Sequence, residues 1–156
     1  MPSLSFKYVE EKGFYRPKIP FYISAGGNVT KTVGLLDSGS DFVVIPQDIA
    51  EALGIKMAKG IEEGDGIGGS IKLKTGTATI IVGEGPDKRT LRKIKIRITI
   101  DGNMDDILLG RAPFFNFFQC IEFNEIRKRV KLVMNRYSEP SNRACSVVKP
   151  IRRRNP

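Results

Sequence analysis

The sequence predicts an all-β fold, a closed β-barrel with one or two short helices. The clearest strand covers residues 91–100, where charged or polar side chains alternate with isoleucines, so we expect one buried face and one wet face. Most other apolar runs are short and bounded by turn-forming residues, which is typical of strands. The clearest helical pattern is also short, residues 47–53, between Pro46 and Gly54.

The predicted elements follow one another as hairpins and short strands. In chain order the strands are predicted at residues 18–23, 31–36, 42–45, 71–73, 77–82, 91–100, 107–109, 120–123 and 130–133. The first two flank a glycine-rich hairpin turn, and the last two form a final hairpin. Between them and the strand at 107–109, the aromatic segment 113–118 is predicted to bury its phenylalanines in a helical turn.

Composition restricts the class of protein. A chain of 156 residues with 40% apolar content suits one domain with a sizeable core. No apolar run is long enough for a membrane span, and no signal peptide is expected at the N-terminus. Cys120 and Cys145 are expected to be reduced thiols in a cytoplasmic protein. Histidine is absent, so we expect no histidine-based triad, no metal site and no cofactor.

Charge divides the chain at its C-terminal end. The last thirty residues, 127–156, carry ten of the 26 basic residues and only Glu139 of the 17 acidic ones, so they hold all of the net charge of +9. We therefore predict a domain at residues 1–135 and a basic, disordered tail at 136–156. The tail could be an electrostatic arm for nucleic acid or an acidic partner, or a solvated solubility tail. The apolar island 145–148 could also enter a cleft for self-processing.

A carboxylate stands on a tight glycine turn at Asp37-Ser38-Gly39, directly after Leu35 and Leu36. Two carboxylates that share one proton can activate a water and protonate a departing amine. The chain holds one Asp-Ser-Gly and no Asp-Thr-Gly, so this chemistry would take its second aspartate from an identical subunit. The alternative is an ordinary turn whose aspartate hydrogen-bonds only its own backbone.

Two further segments favour the catalytic interpretation. Residues 64–70 are rich in glycine, and we predict the tip of a mobile hairpin that covers a reacting centre with Ile67; an exposed turn is the alternative. The apolar run 107–109 ends at Gly110, which would let the backbone pass closely under the loop that carries Asp37. Arg111 could then brace this loop by pairing with Asp41.

Together and in this order, the three segments resemble the retropepsins, the single-domain aspartic proteases of retroviruses and their cellular relatives. The matching motifs are Asp37-Ser38-Gly39 for the catalytic turn, Gly66-Ile67-Gly68-Gly69 for the flap tip, and Leu108-Leu109-Gly110-Arg111 for the segment before the terminal helix. The resemblance extends over about residues 18–134.

The resemblance implies an obligate homodimer that hydrolyses peptide or protein substrates at one shared active site. It implies a role for each matched residue: Asp37 as catalytic, Ser38, Gly39, Ser40 and Asp41 as the active-site loop, Gly66, Ile67, Gly68 and Gly69 as the substrate-binding flap, and Gly110 and Arg111 as structural support. We expect Val44, Ile67 and Ile107 to line a cleft for extended apolar peptides.

Two departures from the family pattern lead to further expectations. Retroviral members usually carry alanine after the catalytic glycine, where this chain has Ser40. A hydroxyl that donates to an ionised carboxylate favours its charged form, so we expect activity to peak at acidic pH. The chain also continues well beyond Phe118, so the interlocked terminal strands of the family need not form the dimer interface.

A different class of function is also compatible with the sequence. The chain could be a catalytically inactive, protease-like binding module that uses its cleft or basic tail to hold a protein or nucleic-acid partner. The presence of Asp37, Gly39 and the glycines of 64–70 favours the enzyme.

Overall fold

A computed structural model describes residues 2–66, 68–100 and 104–135. The fold is all-β with one short helix among these residues, as predicted. The strands are β1 (Ser3–Lys7), β2 (Val9–Glu11), β3 (Phe14–Arg16), β4 (Lys18–Ala25), β5 (Asn28–Leu36), β6 (Val44–Pro46), β7 (Glu62–Gly66), β8 (Gly69–Val82), β9 (Arg89–Thr99), β10 (Ile107–Leu109), β11 (Phe118–Asn124) and β12 (Arg129–Met134). The helix is α1 (Gln47–Ala52), and two single 3-10 turns cover Gly85–Asp87 and Phe115–Phe117. Ile67, Cys145 and the predicted tail 136–156 lie outside the described residues.

Six strands form a closed ring of backbone pairings. Their order is β4, β5, β10, β6, β9 and β8, and β8 pairs again with β4. β7 pairs with β8 outside this ring. β10 runs parallel to β5 and antiparallel to β6, so it lies between the two strands that flank residues 37–43. The predicted barrel is therefore a sheet that closes on itself.

The core combines side chains of the ring strands with others from the helix region, the segment 114–118 and β12. Its largest fully buried side chains are Phe21, Phe114, Ile19, Ile23, Ile45, Leu53, Ile80, Ile96, Ile98, Ile107, Leu109 and Leu132. Most are branched aliphatic residues, which pack well on pleated strands. Burial of each such side chain contributes about 1.5–3 kcal/mol of hydrophobic stabilisation. The strands of the ring are therefore held firmly in place, and so are the ends of the loops that connect them.

The helix α1 follows the prediction closely. Pro46 is its N-cap residue, and its extended backbone at φ −62° precedes the first helical residue. Gly54 ends the segment in the left-handed region at φ +67°, a conformation that glycine adopts at no steric cost. Ala50 is fully buried and anchors the helix on the core.

β8 is one strand of 14 residues, so the prediction of separate strands at 71–73 and 77–82 was wrong. Thr75 and Gly76 stay in the ladder with β9. A Cβ at Gly76 would lie 2.7 Å from Ile55 Cγ2 and 2.9 Å from Ile98 Cδ1. Glycine is therefore needed there for close packing and not for a turn.

The alternation in β9 is right at its start and wrong at its end. Lys95 is exposed as predicted, but Arg97 is only 9% exposed and Thr99 only 4%. The predicted wet face is covered at Arg97, because Phe42 and Glu62 both contact its guanidinium. A pattern with a period of two identifies the two faces of a strand, but it does not reveal that both are covered.

A separate three-stranded sheet joins the two ends of the described chain. β12 is its central strand, with β1 on one side and β11 on the other. The β11 and β12 hairpin was predicted, whereas β1 was not. The alternation of Leu4 and Phe6 in β1 is too short to be distinguished from an irregular terminus.

Lys18 ties β4 to two other parts of the chain. Its nearly buried ammonium donates to Glu11 Oε1 at 2.5 Å and to Asp106 Oδ1 at 2.6 Å. Burial lowers the pKa of Lys18, but the hydrogen bonds to Asp106 and Glu11 outweigh burial and raise this pKa overall. Because Asp106 directly precedes β10, the pair fixes the start of the strand beside β5.

Tyr8 is expected to show a separate ionisation at high pH. Its hydroxyl donates to Glu125 Oε1 at 2.7 Å, and burial together with this hydrogen bond raises the pKa of Tyr8 from 10.0 to about 12. The neutral phenol is favoured in the folded state, so its stabilisation is complete below pH 10.0 and is lost as pH rises toward about 12. The difference between the ultraviolet titration curves of wild type and Tyr8→Phe isolates the ionisation of Tyr8. Its midpoint should therefore lie near the higher value, about 12. A midpoint at the ordinary tyrosine value would contradict this prediction.

No helix within the described residues is long and apolar enough to span a bilayer. Cys120 is an exposed free thiol on β11.

Candidate active site

The loop that carries Asp37 connects β5 to β6 across the end of β10. Asp37 follows the buried Leu36, and its backbone N–H donates to Leu109 O at 3.2 Å. The main chain is therefore still held by β10 at the point where the loop begins. Asp37 itself is half-buried, and Ser38 and Gly39 after it are exposed.

Backbone hydrogen bonds fix the turn, and one of them holds the carboxylate of Asp37. The Gly39 N–H donates to Asp37 Oδ1 at 2.8 Å, and the Ser40 N–H donates to Asp37 O at 3.2 Å. A Cβ at Gly39 would lie 3.2 Å from Asp37 Oδ1, so a larger residue would crowd the carboxylate. One oxygen is thus held by the backbone while the half-buried group keeps access to solvent.

Ser40 does not hydrogen-bond the carboxylate, so that part of the sequence prediction was wrong. Its hydroxyl donates to Phe42 O at 2.8 Å. The hydroxyl closes the loop locally, as serine commonly does in turns. Ser40 therefore gives no reason to expect that activity peaks at acidic pH.

Gly110 passes directly beneath the loop, as the sequence predicted. A Cβ at Gly110 would lie 2.1 Å from Phe42 O and 2.5 Å from Ser40 O. The next two residues each donate a backbone hydrogen bond to the loop, Arg111 N–H to Ser40 O and Ala112 N–H to Asp41 O, both at 2.8 Å. The end of β10 therefore supports the loop through main-chain contacts that only glycine allows.

The predicted ion pair between Arg111 and Asp41 is not formed within the described part of the chain. Both side chains are exposed, and what joins the two segments is the backbone pairing described above. The loop needs no side-chain brace there, because main-chain hydrogen bonds from Arg111 and Ala112 already fix it.

The aromatic segment 113–118 packs into the core and holds the end of β10 at Gly110. Phe114 is fully buried and Phe118 nearly so, with ring centroids 5.3 Å apart. The Phe115 N–H donates to Gly110 O at 3.1 Å. The prediction that these phenylalanines serve core packing is confirmed.

The hairpin of β7 and β8 carries the glycines of the predicted flap tip. Gly66 pairs with Gly69, which closes the turn at φ +113°. This left-handed backbone requires glycine, and a Cβ at Gly68 would meet no atom within 4 Å. The tip is therefore open on its outer side, and Ile67 at its centre lies outside the described residues.

Two predicted cleft residues are buried in the chain itself. Val44 is 6% and Ile107 is 2% exposed, so neither lines an open surface here. On β10 the half-buried residue is Leu108, which stands opposite Leu35 and Val44. Because side chains alternate along a strand, Ile107 and Leu109 share the buried face of β10 and Leu108 lies on the other face.

Comparison with known proteins places this geometry in context. A family model described as aspartyl protease matches residues 20–112. A retropepsin-like aspartic protease from Rickettsia conorii gives a TM-score of 0.61 at 17% identity, over 85% of this chain and 99% of that chain. The EIAV protease complexed with the inhibitor HBY-793 gives a TM-score of 0.51 at 21% identity, over 69% of this chain and 93% of that chain. No curated protein matches the sequence. At these identities the two structures share a fold with this chain.

Proposed function

The chain belongs to the aspartyl protease family, and on this premise we propose that it is a homodimeric aspartic endopeptidase with one active site built from two copies of Asp37. The retropepsin-like fold agrees with the resemblance seen in the sequence. The observation that carries the proposal is the Asp37 turn, whose carboxylate is held by Gly39 and stays open to solvent.

The mechanism needs two carboxylates with different protonation. Asp37 of one subunit acts as general base on a water, while the protonated Asp37 of the partner subunit polarises the scissile carbonyl and then protonates the leaving nitrogen. Two carboxylates at hydrogen-bonding distance hold one proton between them, because both cannot ionise at such close range. Each chain supplies one Asp-Ser-Gly turn, so the second copy completes the site.

The β7 and β8 hairpin is proposed as the flap that holds an extended peptide. Its open glycine tip has the conformational freedom to approach a bound substrate. Ile67 at the tip and Leu108 near the loop would favour substrates with apolar side chains beside the scissile bond. Such a hairpin would also exclude bulk water during reaction.

The paired chain ends restrict how two subunits can meet. β12 already has β1 on one edge and β11 on the other, so it has no free edge for a partner strand. The available edges of this sheet are those of β1 and β11. We therefore propose that the dimer interface does not use β12 of one chain as a strand against the other chain.

Activity is expected to depend on protein concentration more steeply than linearly. A monomer holds half of the site, so cleavage should rise with the square of concentration below the dimer dissociation constant and linearly above it. Progress curves over a dilution series, compared with sedimentation velocity on the same samples, test this. Strict linearity through the range where sedimentation reports monomer would contradict a shared site.

The experiment for the function itself is cleavage of a mixed apolar peptide library by the purified protein, across acidic to neutral pH, with products read by mass spectrometry. An Asp37→Ala variant, matched for oligomeric state, is run beside the wild type. Products from the wild type alone would support the proposal and give its pH optimum and subsite preferences. If a confirmed dimer gives no cleavage products, the result would favour a protease-like binding module.

A further inference from the structure

Arg97 is a nearly buried charge that the proposed chemistry does not use. It lies on β9, its side chain is 11% exposed, and the sequence pattern predicted it to be in water. Burial of a guanidinium is unfavourable unless it is paired and hydrogen-bonded. The contacts around Arg97 therefore indicate a specific role, and they come from two different parts of the fold.

On one side, Arg97 holds the base of the β7 and β8 hairpin. Its Nη2 lies 3.1 Å from Glu62 Oε2, and its Nη1 donates to Glu62 Oε1 at 3.2 Å. Nη1 also donates to Thr75 Oγ1. Glu62 is the first residue of β7, and Thr75 lies on β8 just beyond the residues that pair with β7. The guanidinium thus joins both arms of the hairpin where it leaves the ring, in a bidentate geometry that lysine cannot form.

On the other side, Arg97 contacts the loop that carries Asp37. Its guanidinium carbon lies 4.7 Å from the centroid of the Phe42 ring, a cation–π distance. Its backbone N–H donates to Val43 O at 2.8 Å. Phe42 also lies in the part of the loop that passes over Gly110, where a Cβ would lie 2.1 Å from Phe42 O. Phe42 is 41% exposed, so its ring separates part of the Arg97 guanidinium from solvent.

We propose that Arg97 is a positioning residue that couples the base of the β7 and β8 hairpin to the Asp37 loop. Glu62 and Thr75 fix the hairpin arms, Phe42 fixes the loop, and one guanidinium holds both. The described arms of the hairpin then extend from a base that is held next to the Asp37 loop. This inference rests on the proposed function, because it assigns the hairpin to substrate clamping.

The test compares Arg97→Met with wild type, with Arg97→Lys as the conservative variant. Methionine keeps an apolar contact to Phe42 and removes the charge, and Glu62 is left half-exposed and solvated. Glu62→Gln removes the opposite charge at constant shape. Glu84→Gln serves as the matched control, because Glu84 forms an exposed ion pair with Lys31 at 3.7 Å and is not among the side chains that pair with Arg97.

Kinetics and hydrogen exchange are both measured. We expect kcat/KM to fall roughly three- to thirtyfold in Arg97→Met, mainly through KM, since substrate clamping weakens while the Asp37 turn keeps its own hydrogen bonds. Arg97→Lys should recover part of this loss, and Glu84→Gln should match wild type. The double variant of Glu62→Gln and Arg97→Met should be no worse than Arg97→Met alone. Backbone amides of residues 62–66 and 40–43 should exchange faster in Arg97→Met, without substrate present.

The two readouts separate failure of this inference from failure of the proposed function. If wild type cleaves peptides and Arg97→Met has unchanged kcat/KM, or if exchange accelerates in only one of the two segments, the coupling is refuted. If wild type cleaves nothing, the proposed function fails, and the exchange experiment alone still decides whether Arg97 couples hairpin and loop. A uniform acceleration over the whole chain would mean general destabilisation and would also overturn the proposal.

Discussion

Asp37→Asn is expected to reduce peptide cleavage at least about a thousandfold while leaving the fold intact, because it removes the ionisable group on which general acid and base catalysis depend. The amide oxygen of asparagine can still accept the Gly39 N–H that now donates to Asp37 Oδ1 at 2.8 Å. The turn should therefore keep its geometry. Initial rates on the best library peptide, with thermal unfolding of the same samples, measure both effects.

Asp87→Asn is the matched control for this substitution. Asp87 is exposed on the 3-10 turn Gly85–Asp87 and is remote in sequence from the Asp37 loop. It should keep wild-type activity. Equal activity in Asp37→Asn and wild type would mean that cleavage comes from another group or from a contaminant.

Gly110→Ala is expected to lower the free energy of unfolding by more than about 3 kcal/mol. The new methyl group would lie 2.1 Å from Phe42 O and 2.5 Å from Ser40 O. Both obstacles are main-chain atoms, so no side-chain rotation can relieve the overlap. The loop would have to lift from β10 and lose hydrogen bonds such as Arg111 N–H to Ser40 O.

Gly60→Ala controls for the general effect of replacing glycine. A Cβ at Gly60 would meet no atom within 4 Å, so the change should be neutral or slightly stabilising. Urea unfolding of both variants, with the soluble fraction on expression, provides the comparison. Wild-type stability in Gly110→Ala would show that the loop does not rest on β10 in solution.

The parts of the site that depend on local backbone geometry were predictable from sequence. An aspartate after Leu36 and before Gly39 indicated the turn, and the glycine after Leu109 indicated the close passage beneath it. In each case one residue type satisfies a steric demand that few others can. The short helix was predictable for the same reason, because Pro46 and Gly54 mark its two ends.

The parts that depend on what covers a surface were not predictable. Arg97 has the same alternating context as Lys95, yet only Arg97 is covered, by elements 35 and 55 residues away in sequence at Glu62 and Phe42. Ser40 was assigned to the carboxylate, but a hydroxyl can donate to any acceptor in reach, and Phe42 O is 2.8 Å away. The choice among acceptors is made by tertiary packing, which a local motif does not encode.

The pairing of Ser3 with Val133 and of Lys7 with Arg129 has a consequence for how the protein is made. β1 leaves the ribosome long before its partner β12, because most of the described chain lies between the two strands. Contacts of such long sequence separation form late and slow the folding of the whole domain. Until β12 has been made, Leu4 and Phe6 lie on a strand without its partner, so the nascent chain has an aggregation-prone edge on the side of β1 that pairs with β12 in the folded protein.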